Sequence, residues 1–206
     1  MWKWILLFGM GITTALQAEI KILAFSGSTR EGSVNTKLLM HVAKMAREQG
    51  ADFAIINLKD FPLPFYDTDY ENTHGMPENA KKLRALMKGS QVVFIASPQY
   101  NKSISAVLKN ALDWLSRGEQ GGPSRDAFKH KQFVLLCATP SADGGTPGLI
   151  HLRSIIEEIG GKVAMEDISI PHAHAAFNSE GRLNDPQREA TVQKIITSIM
   201  KQQPTP

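Results

Sequence analysis

The stretch Ala24-Phe25-Ser26-Gly27-Ser28-Thr29-Arg30-Glu31-Gly32-Ser33-Val34-Asn35-Thr36 connects the first predicted strand of this 206-residue chain to the first predicted helix. The apolar residues from Ile20 to Phe25 are typical of a buried strand. Beyond the stretch, apolar residues recur on one helix face: Leu38, Leu39, Val42 and Ala46. The helix is predicted to begin at Ser33 or Asn35, and its first N–H groups lack intrahelical partners. A strand, a polar turn and a helix N-terminus therefore predict an anion site.

The side chains of this turn make a phosphate group the simplest candidate anion. Hydroxyl and amide groups add hydrogen-bond donors, and Arg30 adds a fixed positive charge. The same residue types are also ordinary turn and N-cap residues, so a purely structural interpretation stays open. Neither the P-loop motif nor the G-x-G-x-x-G motif is present, which favours a mononucleotide over ATP or a dinucleotide. The donors in question are Ser26, Ser28, Ser33, Asn35 and Thr36.

The composition is that of a soluble globular protein, with 42% hydrophobic and 21% charged residues in a length that suits one domain. The formal net charge of +3 suits phosphorylated small molecules and is too small to indicate nucleic-acid binding. Cys137 is the only cysteine, and its apolar neighbours predict a buried, unreactive thiol. His172 and His174 have no evident third ligand nearby, so no metal site is predicted.

Residues 1–18 differ in character from the rest of the chain. A single lysine precedes an apolar run from Trp4 to about Leu16, and Ala18 directly precedes the first strand. The pattern resembles a secretory signal, although Leu16 is a poor match to a cleavage site. The run is shorter than the roughly 20 residues of a transmembrane helix. We predict an export signal or membrane tether in residues 1–18, one domain in residues 19–202 and a disordered tail in residues 203–206. An extended start on a cytoplasmic protein is the alternative.

The remainder of the chain alternates between apolar strands and amphipathic helices. Strands are predicted at residues 20–25, 52–57, 91–96, 132–138 and 163–170. After the first helix, further helices are predicted at residues 77–88, 103–116 and 147–159, and from Asp185 or Pro186 onward. Two prolines in residues 58–67 predict a surface excursion, with a mobile tail that reaches Gly75. This alternation predicts a parallel sheet with helices on both faces.

Three polar loops follow strands of this predicted sheet. They cover residues 26–36, 97–101 and 139–148. The carboxyl ends of parallel strands lie at one edge of a sheet, where doubly wound folds bind their ligands. The convergence of three polar loops at that edge strengthens the prediction of a phosphate site.

These loops resemble those of the NAD(P)H-dependent FMN reductase family, which has quinone, azo-dye and chromate reductases among its relatives. The matching segments are Gly27-Ser28-Thr29-Arg30 with Ser33 and Asn35, Ser97 to Ile104, Leu108 to Trp114, Leu58 to Asp67, and Gly144 to Arg153. The resemblance covers about residues 20–170. It implies a flavodoxin-like, doubly wound α/β fold with a five-stranded parallel sheet in the order 2-1-3-4-5.

The resemblance also implies where FMN is held. Its phosphate would lie against Ser26, Ser28, Arg30, Ser33, Val34, Asn35 and Thr36. Its ring would be flanked on one side by Pro98, Gln99, Tyr100 and Asn101 and on the other by Ser141, Gly144 and Gly145. Three departures stand out: the family usually has Glu at position 99, it usually has Pro-Gly at Ser105-Ala106, and it does not usually have an apolar N-terminal segment. Arg153 is ambiguous, since it suits either the 2′-phosphate of NADPH or an ion pair with Glu157.

The implied activity is that of an oxidoreductase. It would pass electrons from NADPH or NADH through bound FMN to a small acceptor, namely a quinone, an azo compound, a metal oxyanion or free flavin. The flavin carries this chemistry, so no catalytic acid or base is assigned. The alternative is a flavodoxin-type electron carrier without nicotinamide turnover, although such carriers tend to be strongly acidic and this chain is mildly basic.

The family resemblance and the character of residues 1–18 also lead to expectations about partners and cellular location. A homodimer or homotetramer is expected, with no nucleic acid and with membrane contact only through the N-terminal segment. The family resemblance implies the cytoplasm, where NAD(P)H is available. Residues 1–18 instead indicate export, so both locations stay open at this point.

Overall fold

The computed structural model describes residues 20–201, which form a parallel sheet covered by helices on both faces. Within that range the strands are β1 Lys21–Ser26, β2 Asp52–Asn57, β3 Val92–Ala96, β4 Gln132–Ala138, β5 Lys162–Val163 and β6 Ile168–Ile170. The helices in the same range are α1 Val34–Glu48, α2 Thr68–His74, α3 Glu78–Lys88, α4 Ala106–Leu115, α5 Thr146–Glu158 and α6 Pro186–Met200. The segment predicted at residues 1–18 and the tail predicted at residues 203–206 lie outside the described residues.

The sheet has the strand order β2-β1-β3-β4-β5, and all pairings between these strands are parallel. The predicted order and the doubly wound class are therefore confirmed. Both faces of the sheet are buried, since Ile22 and Ala24 of β1 pack towards α1 and α6, whereas Leu23 and Phe25 pack towards α3, α4 and α5. Strands that are buried on both faces have to be apolar throughout, so the polar residues begin where the strands end.

The single strand predicted over residues 163–170 is wrong. Two short strands, β5 and β6, pair with opposite ends of β4. Ala164 and Asp167 lie in the segment between these two strands. Arg153 on α5 donates to the carbonyl oxygen of Ala164 at 2.8 Å and to the carboxylate of Asp167 at 2.6 Å. A side chain thus satisfies polar groups of this segment that the sheet does not, and the strand is interrupted there.

The mobile tail predicted up to Gly75 is also wrong, because α2 lies there. Asp67 caps this helix by accepting hydrogen bonds from the N–H groups of its first turn at 2.8 and 2.9 Å. Glu71 is buried and accepts a hydrogen bond of 2.7 Å from Arg117, which holds the pKa of its carboxyl below the usual range. Trp114 on α4 donates to the carbonyl oxygen of Pro64 at 2.8 Å, so the preceding excursion packs back on the domain.

None of the helices in residues 20–201 has the length and apolar character that crossing a membrane requires.

Candidate active site

The loops that follow β1, β3 and β4 are joined to one another at the carboxyl edge of the sheet. Gly27 donates from its backbone N–H to Ala96 at 2.9 Å, and Ser97 donates to Leu136 at 2.8 Å. The hydroxyl of Ser105, the N-cap of α4, donates to the carbonyl oxygen of Gly27 at 2.6 Å. The predicted convergence of three loops is therefore present in the structure.

Hydroxyl groups shape the first of these loops from within. The N–H of Ser28 donates to the hydroxyl of Ser26 at 3.1 Å, and the N–H of Arg30 donates to the hydroxyl of Ser28 at 3.4 Å. Ser33 is the N-cap of α1, where its hydroxyl accepts from the N–H of Thr36 at 3.4 Å. All three serines are buried, and their hydroxyl oxygens accept hydrogen bonds from backbone N–H groups, so they act as scaffold for the loop.

Several donors of the same loop have no partner within the described part of the chain. The backbone N–H groups of Glu31, Gly32 and Ser33 make no hydrogen bond to residues 20–201. The side chain of Arg30 is exposed and forms no ion pair there, whereas the neighbouring Glu31 lies 4.0 Å from Lys59. Free N–H groups, a guanidinium and a helix N-terminus form a donor set that fits a phosphate dianion.

Two of the predicted phosphate contacts have a different setting. Asn35 is buried, and its side chain donates to the carbonyl oxygen of Ala138 at 2.9 Å and accepts from the N–H of Ala138 at 2.8 Å. This amide fastens the start of α1 to the end of β4. Val34 is partly buried: its side chain packs against the core and also borders the groove beside this loop.

The loop after β3 contains a tight turn at residues 100–103. Tyr100 and Ser103 exchange two backbone hydrogen bonds of 2.9 Å each. The two central residues, Asn101 and Lys102, have φ angles of +50° and +65°, which is the pattern of a type I′ turn. Tyr100 is 52% exposed, so its ring is available at the surface of the site, whereas Pro98 is buried.

Gln99 connects this loop to the loop after β4. Its side-chain oxygen accepts from the N–H of Gly148 at 2.9 Å, and its side-chain nitrogen donates to the carboxylate of Asp143 at 3.2 Å. Asp143 also accepts from Lys102 at 2.7 Å and from the N–H of Gly145 at 2.9 Å. The Lys102 ammonium, with help from these N–H donors, holds the pKa of the Asp143 carboxyl well below its usual range.

Asp143 and Lys102 were missed by the sequence interpretation. The available signal was the amide at position 99, which requires an acceptor for its NH2 group as well as a donor for its oxygen. The sequence contains an acidic residue in the third loop and a lysine in the second, but their pairing depends on how the two loops meet. It therefore appears only in the three-dimensional structure.

The glycines of the third loop are required by the protein itself. Gly144 and Gly145 have φ angles of +63° and +81°, a backbone region that disfavours side chains. A Cβ atom at Gly144 would overlap with the hydroxyl of Ser169, and one at Gly145 with the sulfur of Cys137. Burial raises the pKa of the Cys137 thiol to about 12, so this cysteine is a protonated packing group, as predicted. Ser141 is exposed on the same loop.

Other polar residues lie outside this arrangement. Arg153 is engaged by Asp167 and lies 3.7 Å from Glu157, so the ion-pair interpretation of this arginine is the one that the structure supports. Asn110, like Trp114, donates to the carbonyl oxygen of Pro64, which gives it a structural role. Among residues 20–201, no group of three or more histidine, cysteine or acidic side chains is arranged to hold a metal ion.

Comparison with known proteins gives a consistent result. The family model described as NADPH-dependent FMN reductase matches residues 20–175. The chain is 32% identical over 188 residues to a protein of Oryza sativa subsp. japonica named "Probable NADPH:quinone oxidoreductase 2", covering 87% of each. It is 28% identical over 182 residues to an NAD(P)H-dependent FMN reductase of Pseudomonas aeruginosa, covering 88% of this chain and 94% of that protein.

A solved structure supports the same fold. The flavoenzyme NAD(P)H:(acceptor) oxidoreductase from Paracoccus denitrificans superposes with a TM-score of 0.73 and 23% sequence identity. The superposition covers 88% of this chain and 95% of that one.

Proposed function

The chain belongs to the NADPH-dependent FMN reductase family, and on that premise we propose that the three joined loops hold FMN, with its phosphate at residues 26–36 and its ring between residues 97–101 and 139–148. The activity of the chain is that of an FMN-dependent oxidoreductase, which takes electrons from NAD(P)H and passes them to a small acceptor. Membership of a reductase family disfavours the alternative of an electron carrier without nicotinamide turnover.

The observation that carries the proposed phosphate position is the set of donors without partners at the start of α1. Arg30 and the N–H groups of residues 31–33 have no partner within residues 20–201. Ser28, Ser33 and Thr36 border the same groove, which has a volume of about 930 Å³. These groups orient and neutralise a phosphate at the helix N-terminus, and Arg30 supplies a charge-assisted contact.

The proposed ring position rests on the two loops that Gln99 connects. Residues 97–101 offer the exposed ring of Tyr100 and backbone groups, and residues 139–148 offer the exposed Ser141, whereas Gly144 and Gly145 are buried. Because Gln99 bonds both Asp143 and Gly148, the separation of the loops is set before a ligand binds. A preformed surface of this kind orients a planar ring that lies against it.

When bound, FMN supplies the two-electron chemistry that links a nicotinamide donor to an acceptor. The contribution of this chain is to bind the phosphate, to orient the ring and to set the charge around it. No side chain of residues 20–201 is assigned as a catalytic acid or base. We propose a quinone as the acceptor class, because relatives named quinone oxidoreductases in Oryza sativa and Escherichia coli match the chain.

The proposed function is tested on purified protein. We expect an absorption spectrum of non-covalently bound flavin that is released as FMN on denaturation. Addition of NADPH or NADH without oxygen should bleach this spectrum, and a quinone should restore it. A protein that binds FMN and is not bleached by either nicotinamide would contradict the assigned activity, and a protein without affinity for FMN would contradict the site.

A homodimer or homotetramer remains our proposal for the assembly. Phe65 is 79% exposed on the excursion before α2, next to a groove of about 300 Å³ between residues 58–63 and α4. An aromatic side chain with this exposure favours burial against another subunit. Replacing Phe65 with Glu should shift the mass measured by light scattering to that of a smaller species, whereas an unchanged mass would contradict this contact.

For residues 1–18 we keep the proposal of an export signal or membrane tether. Its support is the apolar run from Trp4 to Leu16 after a single lysine. Fractionation of untagged protein, followed by N-terminal sequencing, tests the proposal. A product that starts at Glu19 outside the cytoplasm would support export and would require an electron source other than cytoplasmic NAD(P)H. A cytoplasmic product that still starts at Met1 would contradict it.

A further inference from the structure

We propose that Asp143 is a positioning residue of this site, which forms with Lys102 a charge-neutral pair that joins the two ring-flanking loops and sets the electrostatic field at the ring. The inference rests on the proposed function, because it takes the ring to lie between these loops. It deepens that function by giving a role to two side chains that stand outside the proposed set of cofactor contacts.

The first support is the position of Asp143 between two loops. Its carboxylate accepts from the Lys102 ammonium at 2.7 Å and from the Gln99 amide at 3.2 Å, both on the loop after β3. It also accepts from the N–H of Gly145 at 2.9 Å, within its own loop. The carboxylate thus carries the contact between the two loops, and it remains ionised throughout the neutral range.

The second support is the backbone of the turn that carries the lysine. Lys102 has a φ of +65°, a conformation that a lysine adopts only at a cost in free energy. Strained residues persist where their surroundings fix them. Here Asp143 holds the side chain of Lys102, and Ser103, the next residue, lies 2.8 Å from the ring of His151 on α5. The turn is therefore fastened on both sides to the loop and helix that follow β4.

The third support is electrostatic. The side chain of Asp143 is 25% exposed and that of Lys102 is 68% exposed, so water screens the carboxylate less than the ammonium, and removing the carboxylate should give the larger effect. The intact pair has no net charge. Removing one partner leaves a single charge of known sign beside the ring. Reduction adds negative charge to a flavin, so a remaining positive charge favours reduction and a remaining negative charge opposes it.

The test is a cycle of three variants, each purified with FMN bound: Asp143→Asn, Lys102→Met and the double variant. The readout is the reduction potential of the bound flavin, measured by spectroelectrochemical titration. We expect Asp143→Asn to raise the potential and Lys102→Met to lower it. The double variant, in which the pair is again neutral, should return close to the wild-type potential.

The chain offers a matched control in another lysine–aspartate pair. Lys109 and Asp113 lie 2.6 Å apart on the surface of α4, four residues apart in one helix. Lys109→Met and Asp113→Asn make the same changes in charge away from the loops, and they should leave the potential unchanged. If Asp143 had a purely structural role, Asp143→Asn and Lys102→Met would change the stability of the protein but would not shift the flavin potential in opposite directions.

Several results would overturn the inference. Shifts of the same sign in both single variants, or shifts no larger than those of the control pair, would contradict it. If Asp143→Asn does not fold, Lys102→Met and Asp143→Glu decide alone: the first must lower the potential and the second must keep it near the wild-type value. FMN binding with an unmoved potential would overturn this inference alone, whereas an absence of FMN binding would overturn the proposed function as well.

Discussion

The first loop at the carboxyl edge and the two loops opposite it are stabilised in different ways. Residues 26–33 are shaped by buried serine hydroxyls and leave Arg30 and several N–H groups without partners in the described chain. Residues 97–103 and 139–145 are held together by Gln99, Lys102 and Asp143, whose polar groups satisfy one another. The first loop offers donors to a ligand, whereas the other two offer a fixed shape. Under the proposed function, anion affinity and ring position would therefore depend on different loops.

The largest difference in stability between these regions is expected when one glycine in each is replaced by alanine. Gly145→Ala introduces a Cβ that overlaps with the sulfur of Cys137 at a φ of +81°, so we expect a loss of about 2–4 kcal/mol in the free energy of unfolding. Gly32→Ala meets no atom within 4 Å at a φ of +64°, so its loss should be about 1 kcal/mol. Denaturant unfolding of both variants measures the difference.

A second variant checks the cause. Adding Cys137→Ala to Gly145→Ala removes the sulfur that the new Cβ meets and should recover part of the lost stability. Equal losses in Gly145→Ala and Gly32→Ala would show that both loops are governed by backbone conformation alone, and the contrast between an open and a packed loop would then be wrong.

The fold was predictable wherever a strand is buried on both faces. The short apolar runs of β1, β3 and β4, each followed by a polar loop, predict buried strands, and the strand order followed from the resemblance and is confirmed. The errors lie where one side chain decides the local structure. Arg153 interrupts the strand at residues 164–167, and Asp67 with Glu71 orders α2. The partners of Arg153 and Glu71 lie 14 and 46 residues away, so no local pattern reveals them, whereas the Asp67 cap is a local signal that the sequence interpretation did not use.

The next substitution distinguishes a structural role of Asn35, which bonds to Ala138, from a role in binding the phosphate. Asn35→Leu removes both hydrogen bonds to Ala138 and leaves a buried N–H and C=O unpaired, so we expect a loss of about 1–3 kcal/mol in stability. The free energy of FMN binding should change less than the free energy of unfolding. Thr36→Ala is the comparison: this partly exposed side chain makes no hydrogen bond within residues 20–201 but borders the proposed phosphate groove, so its removal should lower FMN affinity without lowering stability. A large loss of FMN affinity with unchanged stability would instead restore Asn35 as a phosphate contact.

The smallest change in stability is expected at Gln99. Gln99→Glu keeps the acceptor for Gly148 but places a second carboxylate beside Asp143. The two charges repel, which raises the folded-state pKa of the pair, so the destabilisation is present at neutral pH and is relieved as pH falls through that pKa. Asp143 in the wild type has a lowered pKa, so its stabilising contribution is lost as pH falls, and the two stability curves should converge in acid.

The same variant tests the charge around the ring. A carboxylate at position 99 adds negative charge next to the proposed flavin position, so the reduction potential of Gln99→Glu should be lower than that of the wild type. A potentiometric titration that finds no change, or an increase, would place Gln99 too far from the ring to tune it.

The location of the site could be predicted from the sequence, but the hydrogen bonds and ion pairs between its side chains could not. Three polar loops at one edge of a parallel sheet follow from strand order, which is why residues 26–36, 97–101 and 139–148 could be proposed together. The pairing of Lys102 with Asp143 spans 41 residues and depends on a turn with positive φ. Likewise, Gly144 and Gly145 suggest access for a ring, whereas the structure shows that Ser169 and Cys137 already occupy the space of their missing side chains.

The central claim is that residues 26–36 bind a phosphate and that the other two loops bind a ring. Riboflavin has the ring of FMN without the phosphate, so the affinities of the apoprotein for both, measured by flavin fluorescence, separate the two contributions. We expect the wild type to prefer FMN strongly, and Arg30→Ala to weaken FMN binding by about 1–3 kcal/mol while leaving riboflavin binding unchanged. Equal affinities for FMN and riboflavin in the wild type, or an equal loss of both in Arg30→Ala, would contradict the account.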